Sequence, residues 1–440
     1  MAQPLEKGPG KAWVVTFAGT AVNLCLGILY AWSVWGGKLV APKGADGKID
    51  QALIGTAMTG IDAGWTYLSN AQVATPFSLC VIIFALLMIP GGRIQDKYGP
   101  TVGATVGGLF LAAGCIIAGL MKSYTGLVVG FGIFGGIGMG IGYAAPTPAA
   151  LKWFGPHKRG LIAGLVVGGY GGAALYIAPL AKSLIASYGI SGSFIILGIL
   201  FAVVVIIAGQ LLAWPPAGYV PPGPPATATK ATAGAPVKTA LTAVDWNAGD
   251  MMKTWQFYAL VLMFIGTTQS GLLIIAFASP VATPLLGASA WMLVSFGGLV
   301  NALGRVGTGM YSDKIGRTNA YSLNCIASAL CLFLMPWILA QKSIPLMFLA
   351  VGIAYWQYGG GLALMPSFTA DFFGAKNLGF NYGLVFIGWG LGFFMARLGG
   401  TIRDMTGSLD YAFYLSGLVL ILAVILSRIA KRPSAVGEAA

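Results

Sequence analysis

Charge is what this chain has least of. Only 8% of its 440 residues are Asp, Glu, Lys or Arg, whereas a soluble domain is about a quarter charged. A soluble fold of this length has no way to hide so much apolar surface, which excludes that class. Carboxylates are scarcer still, 12 against 25 Lys plus Arg, and His157 is the one histidine. That shortage leaves little for acid–base or metal chemistry. There is no Walker A sequence for a primary pump, no nucleophile elbow in a plausible setting and no His/Cys/carboxylate cluster with ligand spacing. An enzyme is therefore not expected, nor a cofactor or a metal. The five cysteines (Cys25, Cys80, Cys115, Cys325, Cys331) fall inside apolar segments and read as small packing residues. No signal peptide is evident, because residues 1–11 are polar and the first apolar run is long enough to span and stay. The net charge of +13 comes from Lys and Arg scattered through short loops, not from a stripe that would suit nucleic acid.

What is present is apolar residues and glycine. The chain is 57% hydrophobic with 66 glycines and no collagen-like period. Small residues on helix faces let membrane helices approach closely. Segments long enough to cross a bilayer lie near 12–36, 70–91, 101–121, 126–152, 160–181, 193–213, 255–277, 291–311, 319–339, 345–370, 380–402 and 411–430. The expected architecture is an all-α membrane protein of twelve transmembrane helices in two six-helix bundles. A Pro/Ala/Thr-rich stretch separates the sixth and seventh segments and reads as a linker. The expected domains are a bundle over 1–213, a cytoplasmic linker over 214–254 and a second bundle over 255–440. With both termini inside, cytoplasmic segments hold sixteen Lys and Arg and the outer loops seven. The positive-inside rule therefore favours cytoplasmic termini.

The halves repeat each other. GGRIQDKYG (91–99) matches GMYSDKIG (309–316) at Gly92/Gly309, Asp96/Asp313, Lys97/Lys314 and Gly99/Gly316. FGPHKRGLIAGLVVGGYG (154–171) matches FGAKNLGFNYGLVFIGWG (373–390) without a gap. Two matches in the same order point to homologous halves. Such repeats place a substrate site near the midplane and support alternating access.

Arg305 is the most informative residue. It lies well inside the eighth apolar segment, where a charge costs about 2.5–3.5 kcal/mol on the insertion scale. A guanidinium kept there suits an anion, because its fork can meet both oxygens of a carboxylate. Aromatic hydroxyls at mid-helix can donate to the same anion while presenting an apolar ring. Candidates are Tyr30, Tyr143, Tyr170, Tyr355 and Tyr358, the last two sharing a helix face. Asn301 is one turn from Arg305 and faces the same way, and Asn23 on the first helix is a further candidate. Lys38, after the first helix, is an outer relay or an ordinary loop lysine. Asp96 and Asp313 are expected to latch the cytoplasmic side. His157 reads as a solvated loop residue.

The repeated G-x-x-x-D-[KR]-x-G loop resembles the signature of the major facilitator superfamily. A finer resemblance, carried by GILYAWSVW (27–35), WFGPHKRGLIAGL (153–165), GRVGTGMYSDKIGR (304–317) and FFGAKNLGFNYGLVF (372–386), is to the oxalate/formate antiporter family and its monocarboxylate transporter relatives. DMTGSLDYAF (404–413) adds a weaker match, and residues 37–62 look like a local insertion. The resemblance implies that Arg305 binds substrate carboxylate. The oxalate antiporter has a second cation, a lysine, at the position held here by Trp389. Two cations suit a dicarboxylate, whereas one cation and an indole suit a small monocarboxylate. Arg397, two turns beyond Trp389, is either a second cation or part of an outer gate. Animal monocarboxylate transporters have a proton-carrying Asp at the position of Asn301, so the resemblance leaves this chain's proton carrier unassigned. The expected function is secondary transport of small monocarboxylates such as lactate, pyruvate or acetate, proton-coupled, in a bacterial inner membrane, by a monomer. The alternatives are an anion exchanger and a transporter-like sensor.

Overall fold

A computed structural model describes residues 8–44, 49–154, 159–216, 219, 245–374 and 378–433. These residues form twelve long helical segments. We number them α1 (8–39), α2 (Asn70–Tyr98), α3 (Pro100–Met121), α4 (Tyr124–Leu151), α5 (159–188), α6 (190–211), α7 (Trp255–Leu286), α8 (Trp291–Ile315), α9 (Arg317–Ala340), α10 (Ile344–Phe373), α11 (378–406) and α12 (Asp410–Ile429). An even number of passes brings both ends of the described chain to one end of the bundle, here the terminal end; the other is the distal end. Most of these helices are long and apolar enough to cross a membrane. The helix bearing Arg305 is not among those that qualify on apolarity, since Asn301, Arg305, Asp313 and Lys314 lower its hydropathy.

The repeated loop motif has a structural cause. Gly99 and Gly316 each form a one-residue joint between consecutive helices, at φ 93° and φ 87°. A residue with a Cβ is strained there. Each glycine N–H also closes the preceding helix, onto Gln95 O at 2.9 Å and Ser312 O at 3.0 Å. The side chains of Asp96 and Asp313, between these caps, lie outside the described residues, as do His157 and the centre of the linker. Where the linker is described it leaves and rejoins the bundles by direct contacts. Tyr219 Oη donates to Trp153 O at 3.1 Å, and Trp246 N donates to Phe373 O at 2.9 Å.

The α5–α6 boundary differs from expectation. Instead of a loop over 182–192, the helix runs on with a single break at Gly189 (φ 69°, ψ −178°). Asp62 supplies the cap that a loop would otherwise provide, its Oδ1 accepting from Ile190 N at 2.7 Å. Asp62 belongs to the first inter-helix loop, which folds over the distal end of the first half. Trp65 is buried there and donates from Nε1 to Ser191 Oγ at 2.9 Å.

The two halves meet closely at the middle and the distal end. A Cβ on Gly390 of α11 would clash with Ala85 of α2, and one on Gly400 would lie 2.9 Å from Asn70 O. Asp404, in the last turn of α11, caps the start of α2. Its Oδ1 accepts from Asn70 N at 2.9 Å and Asn70 Nδ2 at 2.8 Å, and its Oδ2 from Ala71 N at 2.8 Å. A carboxylate on the free amides of a helix start is a charge-assisted contact. At the terminal end, contacts between the halves among the described residues include Arg93 over the Phe380 ring at 5.3 Å and Gly383 near Ile89.

Candidate substrate site

Arg305 sits on α8 where α1, α4, α5, α10 and α11 converge. It is 7% exposed. Its Nε donates to Asn301 Oδ1 at 3.4 Å, its Nη1 to Val167 O of α5 at 3.4 Å, and its Nη2 to Tyr30 Oη of α1 at 3.1 Å. All three acceptors are neutral, and two of the distances are at the long end of the hydrogen-bond range. Among the described residues the ion pairs are Lys38–Asp62 and Lys253–Asp250, and neither involves Arg305. A guanidinium has five N–H donors, so these contacts leave capacity for a stronger acceptor.

The backbone makes room for this arrangement. A Cβ on Gly171 of α5 would lie 3.1 Å from Arg305 Nε, and one on Gly359 of α10 would clash with Asn301 O. Tyr30 stands in a 3-10 stretch, Gly27–Ala31, that interrupts α1. At Gly27, α1 presses so closely on α5 that a Cβ would clash with Ala173. On the opposite side, α11 is interrupted on both sides of Trp389, giving Leu378–Val385, Ile387–Leu391 and Phe393–Thr406. Discontinuous helices at mid-membrane are a recurring way to build a transport site.

The hydroxyls and the indole form one chain. Tyr30 Oη and Tyr358 Oη are 3.1 Å apart, and Trp389 Nε1 donates to Tyr358 Oη at 2.8 Å. Tyr170 packs edge-on against Tyr30 at 5.2 Å and donates weakly to Met139 Sδ at 3.5 Å. Tyr143 packs on Tyr170 at 5.0 Å and is an electrostatic neighbour of Arg305. Tyr355 is 1% exposed, neighbours Tyr30 and has no hydrogen-bond partner for its hydroxyl.

The structure therefore brings Arg305, Asn301, Tyr30, Tyr143, Tyr170, Tyr355, Tyr358 and Trp389 to one place. It does not bring Asn23, Lys38 or Arg397 there. Asn23 ties α1 to α5, donating to Val166 O at 2.7 Å. Lys38 pairs with Asp62 at 3.6 Å in the first loop. Arg397 is exposed on the flank of α11 and donates to Thr401 Oγ1 at 3.0 Å, so as a second cation it is turned the wrong way.

Three further aromatic residues complete the surroundings: Phe84 and Phe386, which sequence reasoning passed over, and Tyr382, which it placed at the membrane interface near the cytoplasmic end of α11. Phe84 of α2 meets Trp389 edge-on at 4.8 Å, Phe386 stacks on Trp389 at 5.0 Å, and Tyr382 packs on Phe386 at 5.7 Å. Tyr382 reaches Arg305 electrostatically and is not confined to the membrane interface. No motif marks Phe84 or Phe386, since an aromatic in an apolar run carries no spacing signal. Arg403, expected in a loop, lies in the last turn of α11. The site so formed is a buried cation and a run of donors inside an aromatic enclosure, able to hold a small anion with an apolar tail.

Comparison with known proteins agrees with this fold. An oxalate:formate antiporter of Oxalobacter formigenes is 31% identical over 340 residues, 74% of this chain and 77% of its own. Apicoplast pyruvate carrier 1 of Toxoplasma gondii is 26% identical, covering 84% of this chain and 79% of its own. Among solved structures, a D-xylose–proton symporter superposes with a TM-score of 0.68 at 14% identity, over 94% of this chain and 97% of its own. That likeness shows the fold alone. Residues 12–369 match the family pattern of the Major Facilitator Superfamily, and this chain, a multi-span membrane transporter, belongs to that superfamily.

Proposed function

We propose that the chain is a secondary active transporter of small monocarboxylates, of the lactate, pyruvate and acetate class, with Arg305 binding the carboxylate. The observation that carries this reading is a guanidinium, 7% exposed, whose acceptors are all neutral. A buried charge without a counterion is costly, and a carboxylate that accepts from two of its N–H groups removes that cost. The side of the site away from Arg305 is the indole of Trp389 and the rings of Phe84 and Phe386. A methyl or ethyl group suits that wall; a second carboxylate does not. Tyr358 and Tyr355 supply hydroxyls for a 2-hydroxy or 2-keto oxygen.

In this reading the terminal end faces the cytoplasm, the protein works as a monomer, and the substrate enters with a proton. The test is uptake of labelled L-lactate into proteoliposomes, with and without an inward proton gradient, for the native chain and Arg305→Ala. Gradient-driven uptake that the variant loses is the expected result. Normal transport by a folded Arg305→Ala protein would overturn the assignment. A second reading, obligatory anion exchange, draws on the 31% identity to an antiporter. It is favoured if uptake requires vesicles preloaded with another carboxylate.

A further inference from the structure

The distal end holds a second group of cations, remote from Arg305 in the fold. A cavity of about 300 Å³ lies between the outer parts of α7 and α9 and the α11–α12 turn. Its charged lining is Arg403, Lys43, Lys342 and Asp410, and Pro280, Pro284 and Phe413 supply apolar wall. That volume is at the small end for ligand sites.

Arg403 is the informative member. Its guanidinium stands over the Phe277 ring at 5.8 Å, and its Nη1 is buried without a hydrogen-bond partner. The neighbouring Asp404 does not supply one, because both its oxygens accept from the start of α2. Lys43, in the first loop, has its ammonium pushed down from its usual range by partial burial and by the charge of Arg403. Three cations thus share the cavity with one carboxylate, Asp410, and Asp404 beside Arg403 adds a second negative charge. Such a surplus of like charge beside an unpaired donor is destabilising until an anion enters.

We propose that this cavity is a second anion site, taking a small soluble carboxylate or phosphate at the distal end independently of Arg305. Lys43 belongs to the first half and Arg403, Lys342 and Asp410 to the second. An anion held among them ties the halves together beside the Asp404 contact. It binds best when the distal end is closed and therefore shifts the population towards that state.

The test removes the central site first. Purified Arg305→Gln protein in neutral-lipid nanodiscs is titrated with sodium acetate and, separately, potassium phosphate, at ionic strength held constant with chloride. The melting temperature is read at each concentration. The expected result is a saturable rise in Arg305→Gln that is abolished by adding Arg403→Gln, with the half-saturating concentration raised about 3–10-fold by Lys43→Gln. Arg403→Gln without anion is expected to melt no lower than its parent, since it removes a buried unpaired donor. The exposed Lys342→Gln gives a second variant with little effect on folding, and it too is expected to weaken the rise. A rise that persists in Arg305→Gln/Arg403→Gln, or no rise in folded Arg305→Gln, would overturn the proposal. So would Arg403-dependent stabilisation seen only with anionic lipid, which would make the occupant a headgroup phosphate. None of these outcomes depends on lactate uptake, so failure here and failure of the Arg305 reading remain distinguishable.

Discussion

Replacing Asn301 with aspartate puts a carboxylate where an amide oxygen now accepts from Arg305 Nε at 3.4 Å. Two unit charges at ~3.4 Å attract by about 5 kcal/mol at an effective dielectric of ~20. Asn301 is fully buried, and removing the new carboxylate from water offsets several kcal/mol of that. A net internal pairing of roughly 1.5–3 kcal/mol remains, which corresponds to about 10–100-fold weaker anion binding. The sign with pH follows from which partner titrates. Arg305 stays charged throughout the working range, so only the introduced carboxylate changes state. Above its pKa it competes with substrate; as pH falls through that pKa it is protonated and releases the guanidinium. Lactate affinity of Asn301→Asp is therefore expected to be about 10–100-fold below native throughout pH 5–8, because the same pairing holds the new carboxylate below its usual ~3.9, and to recover only at more acid pH. The native protein lacks that titration. Binding and counterflow measured between about pH 5 and 8 test this directly. Equal affinities for the two proteins across that range would refute the claim that Arg305 is free of an internal counterion.

The same geometry sets four further expectations. Tyr355→Phe removes a buried hydroxyl with no partner, so the empty protein should gain about 1 kcal/mol of stability while lactate affinity falls several-fold; thermal melts with and without lactate separate the two effects. Asp404→Asn removes the charge from the α2 cap and one of its accepting oxygens, loosening the distal seam by about 1–2 kcal/mol. A cysteine introduced at Gly37, which lies near Ser279 and Pro280 across that seam, should then react faster with a water-soluble maleimide. Trp389→Lys adds a second cation beside Tyr358; oxalate uptake should rise at least tenfold over native as lactate uptake falls, at the cost of a lower melting temperature. Tyr30→Phe deletes the nearest acceptor of Arg305 and should reduce net uptake more than exchange, as paired uptake and counterflow assays would show.

The parts of this molecule that were legible in the sequence are those where composition or geometry leaves few solutions. Helix number followed from apolar run length, and the homologous halves from a glycine motif. Its closing glycines now prove to be joints at positive φ. Arg305 was legible because a charge inside an apolar run is expensive, and Trp389 because it could be counted from Asn-Tyr-Gly. The α5–α6 break was misplaced because its cap, Asp62, comes from a distant loop. The distal seam was invisible for the same reason, as Asp404 and Asn70 are 334 residues apart. Hydropathy even works against the central site, since the polar residues that α8 brings to it lower its apolarity. Arg397 shows the limit of counting along a helix. It is two turns from Trp389 in sequence, but with the break at 392 between them it lies on the exposed flank of α11.

The shell of oxygens around Arg305 bears on the transport cycle as well as on binding. Arg305 belongs to the second half, yet two of its three acceptors, Tyr30 Oη and Val167 O, belong to the first. The guanidinium therefore already joins the halves across the seam through neutral groups. On the proposal that the substrate is a carboxylate, it would make stronger, charge-assisted contacts with the same donors and so favour the closed state by its differential affinity. Without substrate, the neutral shell is what makes burial of the charge tolerable while the carrier changes sides. If that shell were absent, an empty carrier would have to close over an unsolvated cation, and exchange would be the only fast cycle. In the proposed reading, its presence at 3.1–3.4 Å would let the empty carrier return, which net symport requires and pure exchange does not.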